Sequence, residues 1–302
     1  MSAAPVPTLR LRDRTVEPVP GRPLVMGIVN AGPDSFSDAV RLSTLDAQVA
    51  HARRLVAEGA DIVDVGGESG VTYTPPSAPA VEATRVVPLV ERLAADGVTV
   101  SVDTWKPAVA AAALDAGAAM INDTSGLADV RLAELCAEHG AGLVVMHTRA
   151  APKVERFADY GGGVVADVVA FLSHRCAAAR AAGVADEQLV LDPGPDFAKT
   201  PAETVAVLQA IDRLHALGRP LLLAVSRKYF IGAITGRPPA ERLAGTLAAV
   251  GWAADAGAAI VRVHDVAAAV DLLRVRRVLD GAEEVPEFDA GDERLKWIRA
   301  GR

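Results

Sequence analysis

Runs rich in Val, Ile and Leu recur along the chain, and each ends in polar residues. They cover 24–30, 61–67, 99–104, 119–126, 142–148, 189–194, 220–226 and 259–265. Their polar ends include Asn30, Glu68, Asp103, Asn122, His147, Asp192, the Ser226-Arg227-Lys228 triplet and Asp265. Apolar residues at consecutive positions predict strands buried on both faces, as in a parallel sheet. The segments between them carry helical periodicity and predict helices over 43–58, 79–95, 107–116, 130–139, 164–182, 201–217, 239–256 and 266–280. In the first, Leu45, Val49, Ala52, Leu55 and Val56 share one face, and Gly59 closes the helix. Pro107 and Pro201 suit first-turn positions, and Thr200 suits an N-cap. Gly97, Gly117, Gly140, Gly183, Gly218 and Gly257 each follow a helical pattern, where a left-handed residue ends the helix.

Eight alternating strand–helix units are the number that closes a barrel. A doubly wound open sheet is the competing architecture, but it would gather its polar residues at one switch point. Here every strand end is polar. The expectation is therefore an α/β fold, a single-domain (β/α)8 TIM barrel over 23–281. An irregular, proline-bearing lead-in over 1–22 precedes it. A tail over 282–302 follows, in which Trp297 and Ile298 either dock a terminal helix or lie loose.

Composition narrows the class further. The chain has 302 residues, 51% of them hydrophobic, and a formal net charge of −7, which argues against a nucleic-acid binder. Cys136 and Cys176 lie in Ala-rich helical stretches without metal-ligand spacing and read as buried thiols in a reducing compartment. No segment has the length of a membrane span, and the first residues carry no apolar signal core. A cytoplasmic protein with no membrane partner is expected.

Several strand ends carry candidate chemistry. The loop after Asn30 contains Pro33, Asp34 and Ser35, ordinary turn residues, but also Phe36. Gly66-Gly67 reads either as a tight turn or as a place where backbone approaches a ligand, with Glu68 at the mouth. Asp103 and Asn122 converge on one face and could read a flat heterocycle with amide-like donors and acceptors; Asp103 alone reads equally well as a helix cap. Asp192 does not share that alternative, because Pro193 follows it. Arg227, Lys228, Arg262 and His264 end the last two strands, where this fold often binds phosphate. Arg262 and His264 are two apart and face the same way. Solvated surface ion pairs are the alternative for each cation.

Taken in order, MGIVNAGPDSFSD, ADIVDVGGES, VSVDTWKPAVA, INDTSG, LDPGPDFAKT, AVSRKYFIG and VRVHDV resemble the dihydropteroate synthase family from about residue 24 to about 280. The resemblance implies a pterin-binding barrel. The implied reaction condenses 6-hydroxymethyl-7,8-dihydropterin diphosphate with 4-aminobenzoate, giving 7,8-dihydropteroate and diphosphate. It implies that Asp103, Asn122, Asp192 and Lys228 hold the pterin, with Phe197 among the substrate-binding residues. Arg262 and His264 bind the diphosphate, Ser226 and Arg227 lie where aminobenzoate is accepted, and Asn30 helps hold Mg²⁺. Lys228, Arg262 and His264 would carry the chemistry. A homodimer through barrel helices, with the Ala-rich 239–256 as the candidate face, is also implied.

The chain departs from the family pattern in three places. Its first loop reads Asn30-Ala31-Gly32-Pro33 where the family has Asn-Val-Thr-Pro. After Ser69 its second loop runs Gly70-Val71-Thr72-Tyr73-Thr74-Pro75-Pro76, without the family's Thr-Arg-Pro, and no Arg or Lys occurs between Arg54 and Arg85. Asp196 places an extra carboxylate next to a pocket that must accept an anion. These departures keep two other readings open: a pterin-binding paralogue with weak or no synthase activity, and a barrel that transfers methyl groups from a reduced folate.

Overall fold

The computed structural model describes residues 7–32, 44–68, 75–154 and 156–287. Eight parallel strands form the barrel: β3 (Leu24–Asn30), β4 (Ile62–Gly66), β5 (Val100–Asp103), β6 (Met120–Asp123), β7 (Gly142–Met146), β8 (Leu189–Asp192), β9 (Leu222–Leu223) and β10 (Ile260–Val263). Neighbours run in the order β8-β7-β6-β5-β4-β3-β10-β9, and a parallel bridge between Leu191 and Leu221 closes the ring. Helices α1 (Leu45–Ala57), α2 (Pro79–Ala95), α3 (Pro107–Asp115), α4 (Arg131–His139), α5 (Val164–Ala181), α6 (Pro201–Gln209), α7 (Ile211–His215), α8 (Tyr229–Thr235), α9 (Leu243–Asp255) and α10 (Val266–Leu279) follow the strands. The expected single-domain barrel is the observed fold.

The period of two along each strand sorts the core into two sets. Val63, Val65, Val100, Val102, Ile121, Leu143, Val145, Leu189, Leu191, Val261 and Val263 point outward and pack under the helices. Met26, Ile62, Met120, Val144, Val190, Leu222 and Ile260 form a separate cluster inside the barrel. Two residues further along, the same inward-facing positions are Ile28, Asp64, Asn122, Met146, Asp192, Ala224 and Arg262. An apolar interior layer is thus overlaid by one that carries Asp64, Asn122, Asp192 and Arg262, and the register sets Asn30 beside Gly66, Gly66 beside Asp103, and Asp103 beside Asn122.

The helix ends follow local chemistry. Thr44 Oγ1 accepts from Ala47 N at 3.2 Å, and Thr200 forms a capping box with Glu203. The six glycines expected past helix ends all adopt positive φ. Other expectations change. Helix 201–217 is broken at Ala210 into α6 and α7, 239–256 resolves into a short 3-10 turn and α9, and α8 was not foreseen. The lead-in is not wholly irregular. Strands β1 (Leu9–Leu11) and β2 (Arg14–Val16) form an antiparallel hairpin, and Leu9 and Leu11 join the interior cluster as a plug for the lower end. Arg10, Arg12 and Arg14 tie it to Gln188, to the carbonyls of Leu114 and Ala118, and to Thr99. Among the described residues, no helix is long and apolar enough to cross a membrane.

Candidate active site

The polar layer is organised around Arg262. From β10 its Nε donates to Asp64 Oδ2 at 2.7 Å and its Nη2 to Asp103 Oδ2 at 3.0 Å. Asn122 Nδ2 donates to the same Asp64 oxygen at 3.1 Å. Asp64 is fully buried, and among the described residues its Oδ1 has no hydrogen-bond partner. Asp103 therefore faces inward to a guanidinium. Helix α3 starts at Lys106 with no side-chain cap, which removes the capping alternative. Burial raises the Asp103 carboxyl, and the Arg262 charge opposes it.

A second group sits across the barrel. Asp192 Oδ1 accepts from Gly194 N at 2.7 Å. Its carboxyl is pushed up by burial and held down by that N–H and by the charges of Lys228, Lys199 and Arg262. The Lys228 ammonium lies 4.3 Å from the centroid of the Phe197 ring, a cation–π contact. Burial lowers its pKa, while Asp196, Asp192 and Asp103 oppose the shift. Among the described residues, Lys228 Nζ and Asp192 Oδ2 take part in no hydrogen bond. The four residues expected to hold a flat heterocycle, Asp103, Asn122, Asp192 and Lys228, thus belong to one electrostatic network inside one barrel mouth.

Above them a cavity of about 330 Å³ is lined by Ile28, Ala224, Ser226, Arg227, Lys228, Arg262 and His264, with Pro239 and Ala240 at its edge. Arg262 and His264 face it together, as their spacing requires. His264 is not the cation that the sequence suggested. Burial, helped by Arg227, Arg262 and Lys228, pushes its pKa down to about 3. Ser226 Oγ accepts from the His264 main-chain N–H at 3.2 Å and lies 2.9 Å from Nδ1. With its proton directed at Nδ1, this hydroxyl would put the ring N–H on Nε2. His264 then offers a neutral donor. Arg227, at φ 57, makes a bidentate pair with Asp265 at 2.9 and 3.0 Å, so its charge is partly matched.

Two carboxylates turn out to be structural. Asp196 accepts from the N–H groups of Tyr229 and Phe230 and from Thr204 Oγ1, so it caps α8 and its charge is already engaged. Glu68 accepts from Lys106 Nζ at 2.5 Å, Lys153 Nζ at 2.9 Å and Ser77 N at 2.9 Å. Lys106 also reaches Glu82 at 2.6 Å. Asn30 ends β3 with its Oδ1 near Gly66, where an added Cβ would stand 3.7 Å from it. Among the described residues, no three His, Cys, Asp or Glu side chains are grouped to hold a metal. The expectations for Pro33 to Phe36, Ser69 to Thr74, Trp297 and Ile298 lie outside the described residues.

Asp64 and Lys199 were missed by sequence reasoning. Asp64 left a signal, a carboxylate inside the apolar run DIVDVGG, where a buried charge needs partners. Lys199 left none beyond its place between Ala198 and Thr200.

A family model described as "Pterin binding enzyme" matches residues 26–264. The chain belongs to the dihydropteroate synthase family. It is 41% identical over 263 residues to the dihydropteroate synthase of Bacillus subtilis (strain 168), covering 85% of this chain and 87% of that one. It is 45% identical over 260 residues to that of Mycobacterium leprae (strain TN), covering 83% and 91%. The Xanthomonas albilineans dihydropteroate synthase solved with 4-aminobenzoic acid superposes with a TM-score of 0.82 at 42% identity, covering 93% of this chain and all of that one. The Burkholderia cenocepacia dihydropteroate synthase complexed with 7,8-dihydropteroate gives 0.82 at 41%, covering 92% and 98%.

Proposed function

We propose that this chain is a transferase that joins 6-hydroxymethyl-7,8-dihydropterin diphosphate to 4-aminobenzoate, forming 7,8-dihydropteroate and releasing diphosphate in folate synthesis. One observation carries the reading: buried Asp192 and half-buried Lys228 are charges of opposite sign that face one mouth and, among the described residues, keep unused hydrogen-bonding capacity. Their geometry suits a ring with a guanidine-like edge on one side and a carbonyl edge on the other.

In this reading Asp192 accepts from the guanidine-like edge and Lys228 donates to the carbonyl edge. Asn122 and Asp103 complete the floor, and Phe197 covers it. Arg262 and His264 Nε2–H hold the diphosphate, and Ser226 and Arg227 receive the aminobenzoate carboxylate. Asn30 offers one amide oxygen. That fits Mg²⁺, which takes few protein ligands and fills its shell with water and phosphate oxygens. When bound, Mg²⁺ supplies positive charge to the leaving group.

The bond between the pterin methylene carbon and the diphosphate oxygen breaks, and the electron pair leaves with diphosphate. Arg262 stabilises the departing charge. The lone pair of the aromatic amine forms the new C–N bond, and the nitrogen then loses a proton to water. No side chain has to act as a nucleophile.

The test is a coupled assay of diphosphate release by purified protein. Release that requires both substrates and Mg²⁺ is expected. No product from folded protein at high substrate would overturn the reading. The same reading makes the protein a cytoplasmic homodimer that pairs through α9, where Leu243 and Trp252 are exposed. Light scattering reads its mass directly.

A further inference from the structure

Lys199 has no solvent exposure, yet it carries an amine. Its Nζ donates to the main-chain carbonyls of Gly194 at 2.9 Å, Phe197 at 3.0 Å and His147 at 3.4 Å. Among the described residues, no carboxylate comes within ion-pair distance of it. Burial lowers its pKa to about 7, and the negative charge of Asp192 opposes that shift. A buried ammonium held only by carbonyls is a costly way to fill space, since an apolar chain of equal length would avoid the desolvation penalty. Its presence calls for a task other than packing.

The three carbonyls identify the task. Gly194 supplies the N–H that holds Asp192 Oδ1, and its backbone is pressed so close to His147 that an added Cβ would stand 2.1 Å from the His147 carbonyl oxygen. Phe197 supplies the ring beneath Lys228. His147 directly follows β7, and its main-chain N–H donates to the Asp192 carbonyl at 2.8 Å. One side chain thus gathers the loop after β8 and the end of β7 around Asp192, and its ammonium interacts electrostatically with that carboxylate.

We propose that Lys199 is a positioning residue for pterin recognition: it clamps the Gly194–Phe197 loop in its binding shape and keeps Asp192 available as an anionic acceptor. The proposal rests on the pterin reading above. It goes beyond that reading by giving a role to a residue that the bound ring need not touch.

The experiment compares wild type, Lys199→Met and Lys199→Gln by calorimetric titration with 6-hydroxymethylpterin and by thermal melting. Lys199→Met removes both the charge and the donors, and Lys199→Gln keeps donors without the charge. Pterin affinity is expected to fall about tenfold or more in Lys199→Met, the scale of losing hydrogen bonds to a charged group. Its melting temperature should stay level or rise. Lys199→Gln should lose less affinity. Unchanged affinity in a folded Lys199→Met protein would overturn the proposal. So would melting temperature and affinity falling together in both variants, or failure of both to fold, because Lys199 would then be a brace of the fold. Wild type that binds no pterin would bring down the functional reading itself, and that result is separate from the other two.

Discussion

Arg262 and Asp64 stand two strands apart, across β3, and a 2.7 Å hydrogen bond joins them inside the barrel. Asp64 has no exposure, so its charge depends on that guanidinium and on the Asn122 amide. Removing Asp64 would leave Arg262 with Asp103 as its remaining ion-pair partner and take the acceptor from Asn122 Nδ2. Asp64→Ala should therefore lower stability by about 3 kcal/mol or more, as breaking buried pairs does. Urea unfolding measures this, and a loss below that of an ordinary surface substitution would show that Arg262 does not depend on Asp64.

Asp192→Ala and Lys228→Ala should each abolish detectable pterin binding without unfolding the protein. Neither side chain is hydrogen-bonded to the other, and each is held ready by its neighbours. Titration calorimetry with circular dichroism as a fold check decides it. Unaltered affinity in either variant removes the pocket as assigned.

Asp196 invites a test between two expectations. If its charge repelled an incoming anion, Asp196→Ala would improve the KM for aminobenzoate. The structure instead uses the carboxylate on the first N–H groups of α8. Asp196→Ala should therefore cost about 1 kcal/mol of stability, as lost caps do, and should not lower that KM.

Stability should depend on pH through two histidines. Burial is the leading cause that pushes His264 down to about 3 and His147 to about 4, from an ordinary 6.5. Below 6.5 the unfolded chain takes up protons that the native state refuses. The contribution of the two histidines is therefore complete above about pH 6.5 and falls as the pH drops from there toward 4, while Asp103, whose carboxyl burial raises to about 7, contributes in the opposite direction over that window. Melting temperatures from pH 8 to pH 4 should show that decline, and His147→Gln should make it shallower. A His147→Gln profile parallel to that of wild type would mean that this imidazole titrates normally.

Lys106 neutralises both Glu68 and Glu82, at 2.5 and 2.6 Å, where all three side chains are nearly inaccessible. Lys106→Met should destabilise by about 3–5 kcal/mol, because two buried carboxylates lose their shared cation. Lys106→Arg should recover part of the loss in the same urea assay.

The barrel was legible because both-face burial produces long apolar runs, and their polar ends marked the mouth. Asp103, Asn122, Asp192, Lys228, Arg262 and His264 were legible for the same reason. The hairpin was not, since Leu9-Arg10-Leu11 offers one short alternation and its apolar residues find their partners only in the closed barrel. The charge of His264 was not legible either, because it is set by burial first and then by three cations that meet only in the fold. Asp196 misled for a related reason: its partners lie 33 and 34 residues away on a helix whose short length gives little periodicity.

Leu9 and Leu11 stopper the floor of the barrel, so every molecule that visits Asp192 has to come and go through a single doorway. In the proposed reaction the pterin, seated deeper, would have to arrive before the aminobenzoate. Two leucines at the far end from the chemistry, with the apolar layer they support, thereby favour one order of arrival.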